Sequence, residues 1–361
     1  MTVTDSRALP LSAAADTVTG LGELETLRRI VRRLPRAATE LLGPGDDAAV
    51  VAAPDGRYVV TTDMMIQGPD FRLAWSTPHE LGWKAAVSNL ADVAAMGAVP
   101  TALLVALAAP SDTPVALLEG IADGLRDACE ALAPGCGVVG GDLSTSSALT
   151  IAVTAFGDLG GRAPVVRSGA GVGDEVAVAG RLGLAGAGVW LLYRDGSTDV
   201  GSGSDSGPVP DAGRALAVRH EHPELVTEQV APTSPIALGA VASDAGATAM
   251  LDVSDGLVLD ASRIANASGV TIELHEHAVD AEAQALAAVD PVVGSRARDF
   301  VLAGGEDHSL LATFPAGRVP DGFRVIGMVR PQGDSPVTIG GVVYARPGGW
   351  DPYADWDGAA G

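Results

Sequence analysis

Residues able to do chemistry in this chain are mostly carboxylates set among glycines. Gly45-Asp46-Asp47 and Thr61-Thr62-Asp63 come first, then Gly140-Gly141-Asp142, Asp252-Val253-Ser254-Asp255-Gly256 and Gly304-Gly305-Glu306-Asp307. Gly-Asp is ordinary turn chemistry, so each stretch alone is weak. Their predicted placement at strand ends lifts the set, because α/β proteins build sites there. An apolar run 48–53, the turn Pro54-Asp55-Gly56 and a second run 58–60 predict a hairpin. Pairing of its strands would bring Asp47 beside Asp63, where like charges repel unless a cation or a shared proton offsets them. Oxygen donors with no Cys or His nearby suit Mg²⁺ better than zinc. The competing reading is that both are acidic turn residues.

Three further positions stay open at this level. Asn89 and Asp92 share one face of a predicted helix; Asp92 is either a buried carboxylate in need of a partner or part of a solvent stripe. Asp255 is either a helix cap or, with Asp252 and Ser254, part of a phosphate or metal loop. Asp142 is either a turn residue or a ligand.

Composition narrows the function. The chain has 361 residues, 47% of them hydrophobic, 4% aromatic, with a net charge of −22. That charge argues against nucleic acid and membrane surfaces. Lys84 is the only lysine, which excludes a Walker A loop and the usual protein-kinase lysine. The literal G-x-G-x-x-G at 135–140 interrupts a predicted strand instead of opening a helix, so it does not read as a dinucleotide fingerprint. Cys129 and Cys136 fit a reduced, cytoplasmic protein, with no zinc site or disulfide framework. No signal peptide or membrane-length apolar run is expected, and no His/Asp or Ser/His constellation stands out.

The elements that must position these residues read as α/β (α+β) in two domains. Residues 1–19 are expected to be a loose tail, 20–160 an N-terminal domain, and 161–361 a C-terminal domain carrying a low-complexity loop at 195–208. A short amphipathic helix is expected at 22–34. Thr77-Pro78-His79-Glu80 is a capping box with proline at the first helical position, opening a helix to Met96. A buried strand is expected at 101–108, a helix at 113–132, a short strand at 138–139 ending in Gly-Gly-Asp, and helices at 182–193, 211–219 and 233–245.

In this order, and with Asn89-Leu90-Ala91-Asp92-Val93-Ala94-Ala95-Met96-Gly97-Ala98 between them, the motifs resemble the thiamine-monophosphate kinase family over residues 20–353. The wider superfamily includes aminoimidazole-ribonucleotide synthetase and selenophosphate synthetase. The resemblance implies a homodimer through the N-terminal sheet, with ATP and Mg²⁺ in a cleft between domains. It implies Asp47, Thr61, Thr62, Asp63, Asp92, Asp142, Asp252 and Asp255 as magnesium positions. Gly141, Asp142, Arg167 and Ser254 are implied as ATP contacts, and Asp70, Glu306 and Trp350 as substrate contacts. Two positions depart: Asp70 stands where the family often has His, and His308 where it often has Tyr. The implied reaction is phosphoryl transfer from ATP to thiamine monophosphate, which needs positioning and charge neutralisation more than a base. The alternatives are another ATP-using superfamily member or a binding module with a decayed site. Absence of Cys and Lys from residues 1–40 weighs against the selenophosphate type.

Overall fold

The structure is a computed structural model describing residues 16–44, 48–198, 209–346, 348 and 349. Asp47, Trp350, most of the 195–208 loop and the first fifteen residues lie outside the described residues. Residues 16–19 are structured: Thr17 bridges Pro114 and caps α1 (Val18–Leu21). The amphipathic α2 (Glu23–Val31) follows.

The predicted hairpin does not form. β1 (Glu40–Leu42) pairs with β2 (Val50–Val51), and β3 (Val59–Ile66) pairs elsewhere. Local turn chemistry suggested the adjacent pairing, but β3 gains an eight-residue register, Val59↔Gly157 to Ile66↔Thr150, with β6 (Thr150–Asp158). With β4 (Val99–Ala109) and β5 (Gly137–Thr145) these form a four-stranded sheet of order β3-β6-β4-β5. Strand-end placement also fails for two motifs. Asp63 lies inside β3 and Gly140-Gly141-Asp142 inside β5. Gly141 is needed there because a Cβ would lie 1.9 Å from the Val105 carbonyl oxygen of β4.

α3 (Pro78–Ala95) has its capping box in place. It packs closely on α4 (Val115–Leu132): a Cβ at Gly82 or Gly124 would meet the facing backbone oxygen at 1.9 Å. Both helices cover one face of the sheet, burying Leu103, Val105, Ile151 and Val153. The opposite face leaves Val60 and Met64 exposed.

The chain continues through β7 (Glu175–Ala179), α5 (Leu184–Arg194), the small ribbon β8 (Ser197–Thr198) with β9 (Val209–Pro210), α6 (Ala212–Glu221), α7 (Pro223–Val230) and α8 (Ala237–Ala245). The predicted helix at 233–245 thus begins later, and α7 precedes it. β10 (Ala249–Val253), α9 (Leu257–Ser268), β11 (Val270–Leu274), α10 (Glu276–Val289) and α11 (Ala297–Ala303) lead to β12 (Ser309–Phe314), β13 (Arg324–Pro331), β14 (Val337–Ile339) and β15 (Val342–Val343). A seven-stranded mixed sheet of order β10-β12-β7-β13-β11-β14-β15 results. Both its faces are buried. Ala177, Met250, Leu310, Ala312 and Phe314 join the core shared with α3, while Val176, Val178, Leu251 and Leu311 join the core under α5 and α9. Each such Leu or Val contributes about 1.5–3 kcal/mol by leaving water. α3 thereby touches both sheets. The architecture is a two-domain α/β one.

Candidate active site

The register of β3 sorts its three polar residues. Successive side chains point to opposite faces, so Thr61 and Asp63 turn toward α3 and Thr62 turns away. Thr61 Oγ1 donates to Asp92 Oδ2 at 2.8 Å, and Asn89 Oδ1 accepts the Asp63 N–H at 3.1 Å. Asp92 is therefore a partnered carboxylate on the inner face. Thr62 instead donates to the Val153 carbonyl at 3.0 Å and meets Thr154 across the open face. Asp142 is in register with Ala106, which aligns with Ala152 and then Met64, placing it on the open face too. It lines an apolar groove of about 1140 Å³ beside α2, together with Leu27, Tyr58 and Phe156.

Across from α3, β10 ends in Asp252 and runs into the turn before α9. Asp255 does not cap that helix. Arg263 bonds it at 2.6 Å, and buried Asp260 accepts the Asp255 and Gly256 N–H groups at 3.0 and 3.1 Å, fixing the turn. Burial holds the Asp260 carboxyl up at about 7 despite Arg263.

The connection from α11 to β12 completes the wall. Glu306 and His308 both adopt left-handed backbone, φ 66° and 49°. Such conformations in non-glycine residues cost about 1–3 kcal/mol each and collect at functional sites. Backbone bonds from Glu306 N to Ser254 O (2.7 Å) and His308 N to Val253 O (2.9 Å) hold them. Buried His308 reaches Asp252 Oδ2 through Nδ1 at 3.1 Å and Ser88 Oγ through Nε2 at 3.2 Å. Burial opposes its protonation, but the bond to Asp252 outweighs this and raises its pKa. Glu306 pairs with Lys84 at 2.8 Å and accepts from Gln229 Nε2 at 2.5 Å. Burial would raise the Glu306 pKa; Lys84 outweighs it and lowers it. Asp307 points away, accepting the Gly183 and Ala185 N–H groups at the start of α5, and burial raises it to about 7.

Asp63, Asp70, Lys84, Ser254, Asp255 and Glu306 line one cavity of about 840 Å³ between the two sheets. Asp70 accepts the Ile66 N–H at 2.6 Å, and burial raises its pKa. Asp63 is raised by burial and by Asp252 and Asp255, against His308. Asp92 is raised to about 7 by burial and then by Asp252. Asp63, Asp92 and Asp252 sense one another with His308 the only basic group against them, while Lys84 acts on Asp70 and Arg263 on Asp255. That donor set fits a hard divalent cation. Among the described residues no group of three or more acidic, His or Cys side chains stands close enough to hold a metal ion by itself. Mg²⁺ usually keeps several waters and substrate phosphates as ligands, so an open set is compatible with it.

Arg167 lies on the exposed connection between the sheets, its carbonyl accepting from Ser268, outside this cavity. Sequence reasoning gave no site role to Lys84, Gln229, His308 or Arg72. Lys84 had a signal, being the chain's sole lysine on an Ala-rich helix. Gln229 and Arg72 had none.

Two α/β units facing each other across an acid-lined cavity define a protein of the AIR-synthase-related class. The family described as AIR synthase related protein, N-terminal domain, matches residues 45–159. Thiamine-monophosphate kinase of Mycobacterium tuberculosis is 43% identical over 347 residues, 96% of each chain. That of Corynebacterium glutamicum is 39% identical over 358 residues, 98% of this chain and 100% of the relative. The solved structure of AaThiL complexed with AMPPCP and TMP is 30% identical, covers 91% of this chain and 96% of its own, and has a TM-score of 0.66. The chain belongs to the thiamine-monophosphate kinase family. Hydrogenase maturation protein HypE, 18% identical with a TM-score of 0.60, shares the fold.

Proposed function

We propose that this chain transfers the γ-phosphoryl group of ATP directly, in line, to the phosphate of thiamine monophosphate, giving thiamine diphosphate and ADP. The observation that carries the reading is the closeness of Asp63, Asp92, Asp252 and Asp255, which, after burial, raises the pKa of Asp63 and Asp92, with Asp63 and Asp255 on the cavity wall and, among the described residues, no free base beside them. A phosphate-monoester acceptor is already largely anionic near neutral pH and needs no base, whereas a hydroxyl acceptor would benefit from one. His308 is the imidazole in reach, and Asp252 and Ser88 occupy both its ring nitrogens.

Asp63, Asp92, Asp252 and Asp255, with Thr61 orienting Asp92, would hold several Mg²⁺ ions. Bound there, the ions would supply charge neutralisation for the two anionic phosphates. His308 keeps Asp252 oriented, and Asp260 with Arg263 keeps Asp255 oriented. Ser254 and the Gly304-Gly305 backbone would lie against ATP, and Asp70 and Glu306 against the acceptor. Thr62 and Asp142, on the other sheet face, are not assigned to this cavity. Asp47 and Trp350 stay in the reading through the family resemblance alone.

The open face of the four-stranded sheet, with Val60, Met64 and Phe156, supports a homodimer through that surface. The reading places residues 20–160 and 161–361 as the two domains of a cytoplasmic enzyme. Incubation with ATP, Mg²⁺ and either thiamine monophosphate or thiamine tests it. Equal phosphorylation of thiamine would overturn the acceptor assignment.

A further inference from the structure

Arg72 follows β3 and is 8% exposed. Its guanidinium carbon lies 4.7 Å from the Trp75 ring centroid and 4.8 Å from that of Tyr193, in the corner of two nearly perpendicular rings. Trp75 is fixed in turn by its indole N–H, which donates to the Gly196 carbonyl at 3.2 Å. Cation–π contacts offset part of the cost of burying the charge. They use none of the N–H groups as ordinary donors. Arg72 Nε is buried without a partner, and Arg72 makes no ion pair or side-chain hydrogen bond among the described residues. Lys84, the other cation on the cavity wall, is matched by Glu306 and the Gln229 carbonyl. A guanidinium on a cavity wall whose remaining N–H groups have no protein partner among the described residues suits a ligand that accepts hydrogen bonds in its plane.

Position selects which part of the ligand that is. Asp63 and Asp255 mark the phosphate end. From Asp63, β3 runs on to Ile66, about 10 Å at the usual rise of a strand. The segment then doubles back through the Gln67↔Phe71 bridge to Arg72. Arg72 lines the same cavity as Asp63 and Asp255, with the rings of Phe71, Trp75 and Tyr193 around it. That aromatic lining, unlike the acidic one, suits the heteroaromatic end of an acceptor whose phosphate lies by the aspartates. We infer that Arg72 is a specificity residue, donating through its N–H edge to a ring nitrogen of the acceptor's aminopyrimidine. The inference rests on the thiamine-monophosphate reading above.

The test is a cycle of protein and substrate changes. KM and kcat are measured for thiamine monophosphate and for its deaza analogues, each lacking one pyrimidine ring nitrogen, with wild type, Arg72→Lys and Arg72→Met. Melting curves are recorded alongside; Arg72→Lys keeps the cation between the rings should Arg72→Met not fold. The expected result is that wild type loses roughly tenfold or more in kcat/KM with one deaza analogue, the scale of one hydrogen bond to a charged group. A folded variant should already be weaker on the natural acceptor by a similar factor, mostly in KM, and lose no more with that analogue. KM for ATP should not move. An equal analogue penalty in wild type and variants, or a loss confined to kcat or to ATP, would overturn the inference and leave the kinase reading standing. Absence of wild-type turnover on thiamine monophosphate would overturn both.

Discussion

Replacing Glu306 by Gln should leave the buried Lys84 ammonium without its carboxylate partner. The Lys84 ammonium is 5% exposed and sits 2.8 Å from Glu306, whose side chain is 36% exposed. Unit charges at that separation interact by about 6 kcal/mol at an effective dielectric constant near 20. Desolvation of both groups consumes part of this, and removing one partner of a fully buried pair costs about 3–5 kcal/mol. Glu306 is partly open to water, and Gln retains an acceptor for Nζ, so about 2–3 kcal/mol is the expected loss at neutral pH. For a chain of this size that lowers Tm by about 4–10 °C. The sign with pH is fixed by Glu306 titrating below its ordinary value of 4.5 in the folded state. Its stabilisation is present above the unfolded value and is lost as pH falls through the lower folded one. Thermal melts of wild type and Glu306→Gln from neutral pH downward should therefore converge below about pH 4.5. Equal melting temperatures at neutral pH, or a gap that widens on acidification, would refute the reasoning.

Other consequences follow from the same contacts. Gly124→Ala places a methyl group against the His79 carbonyl, so α3 and α4 must separate; a loss of about 1–3 kcal/mol or more is expected in denaturant unfolding. Asp63→Asn should cut kcat by about a hundredfold or more with part of the loss recovered by extra Mg²⁺, whereas Thr62→Val, on the opposite face, should stay within a few-fold; similar losses would contradict the facial assignment. Mg²⁺ without nucleotide should raise Tm of wild type by mass action, and by less in Asp63→Asn. Cys129 and Cys136 are buried in the N-terminal core away from the cavity, so replacing both by Ala should leave kcat largely unchanged in a steady-state assay.

The acidic motifs themselves were legible in the sequence, but their positions in the fold were less so. Capping chemistry located the start of α3 to the residue, because its signals are local. The hairpin failed because a turn between two apolar runs says nothing about a better partner a hundred residues away. The faces of Thr62 and Asp142 depended on register, and register is a tertiary property. Gly141, implied as an ATP contact, also has a packing reason that only the fold shows: its missing side chain lets β4 approach. Asp92, ambiguous by periodicity, found Thr61 only once β3 was paired. Arg72 and Gln229 carried no pattern, since their neighbours are set only by the folded chain.

The most direct measurement follows ATP-dependent conversion of thiamine monophosphate by the purified chain, with product identified by mass and Mg²⁺ varied. The account predicts stoichiometric thiamine diphosphate and ADP, no turnover without a divalent cation, and little phosphorylation of thiamine. ATP consumption without thiamine diphosphate, or conversion that survives removal of all divalent cations, would contradict it.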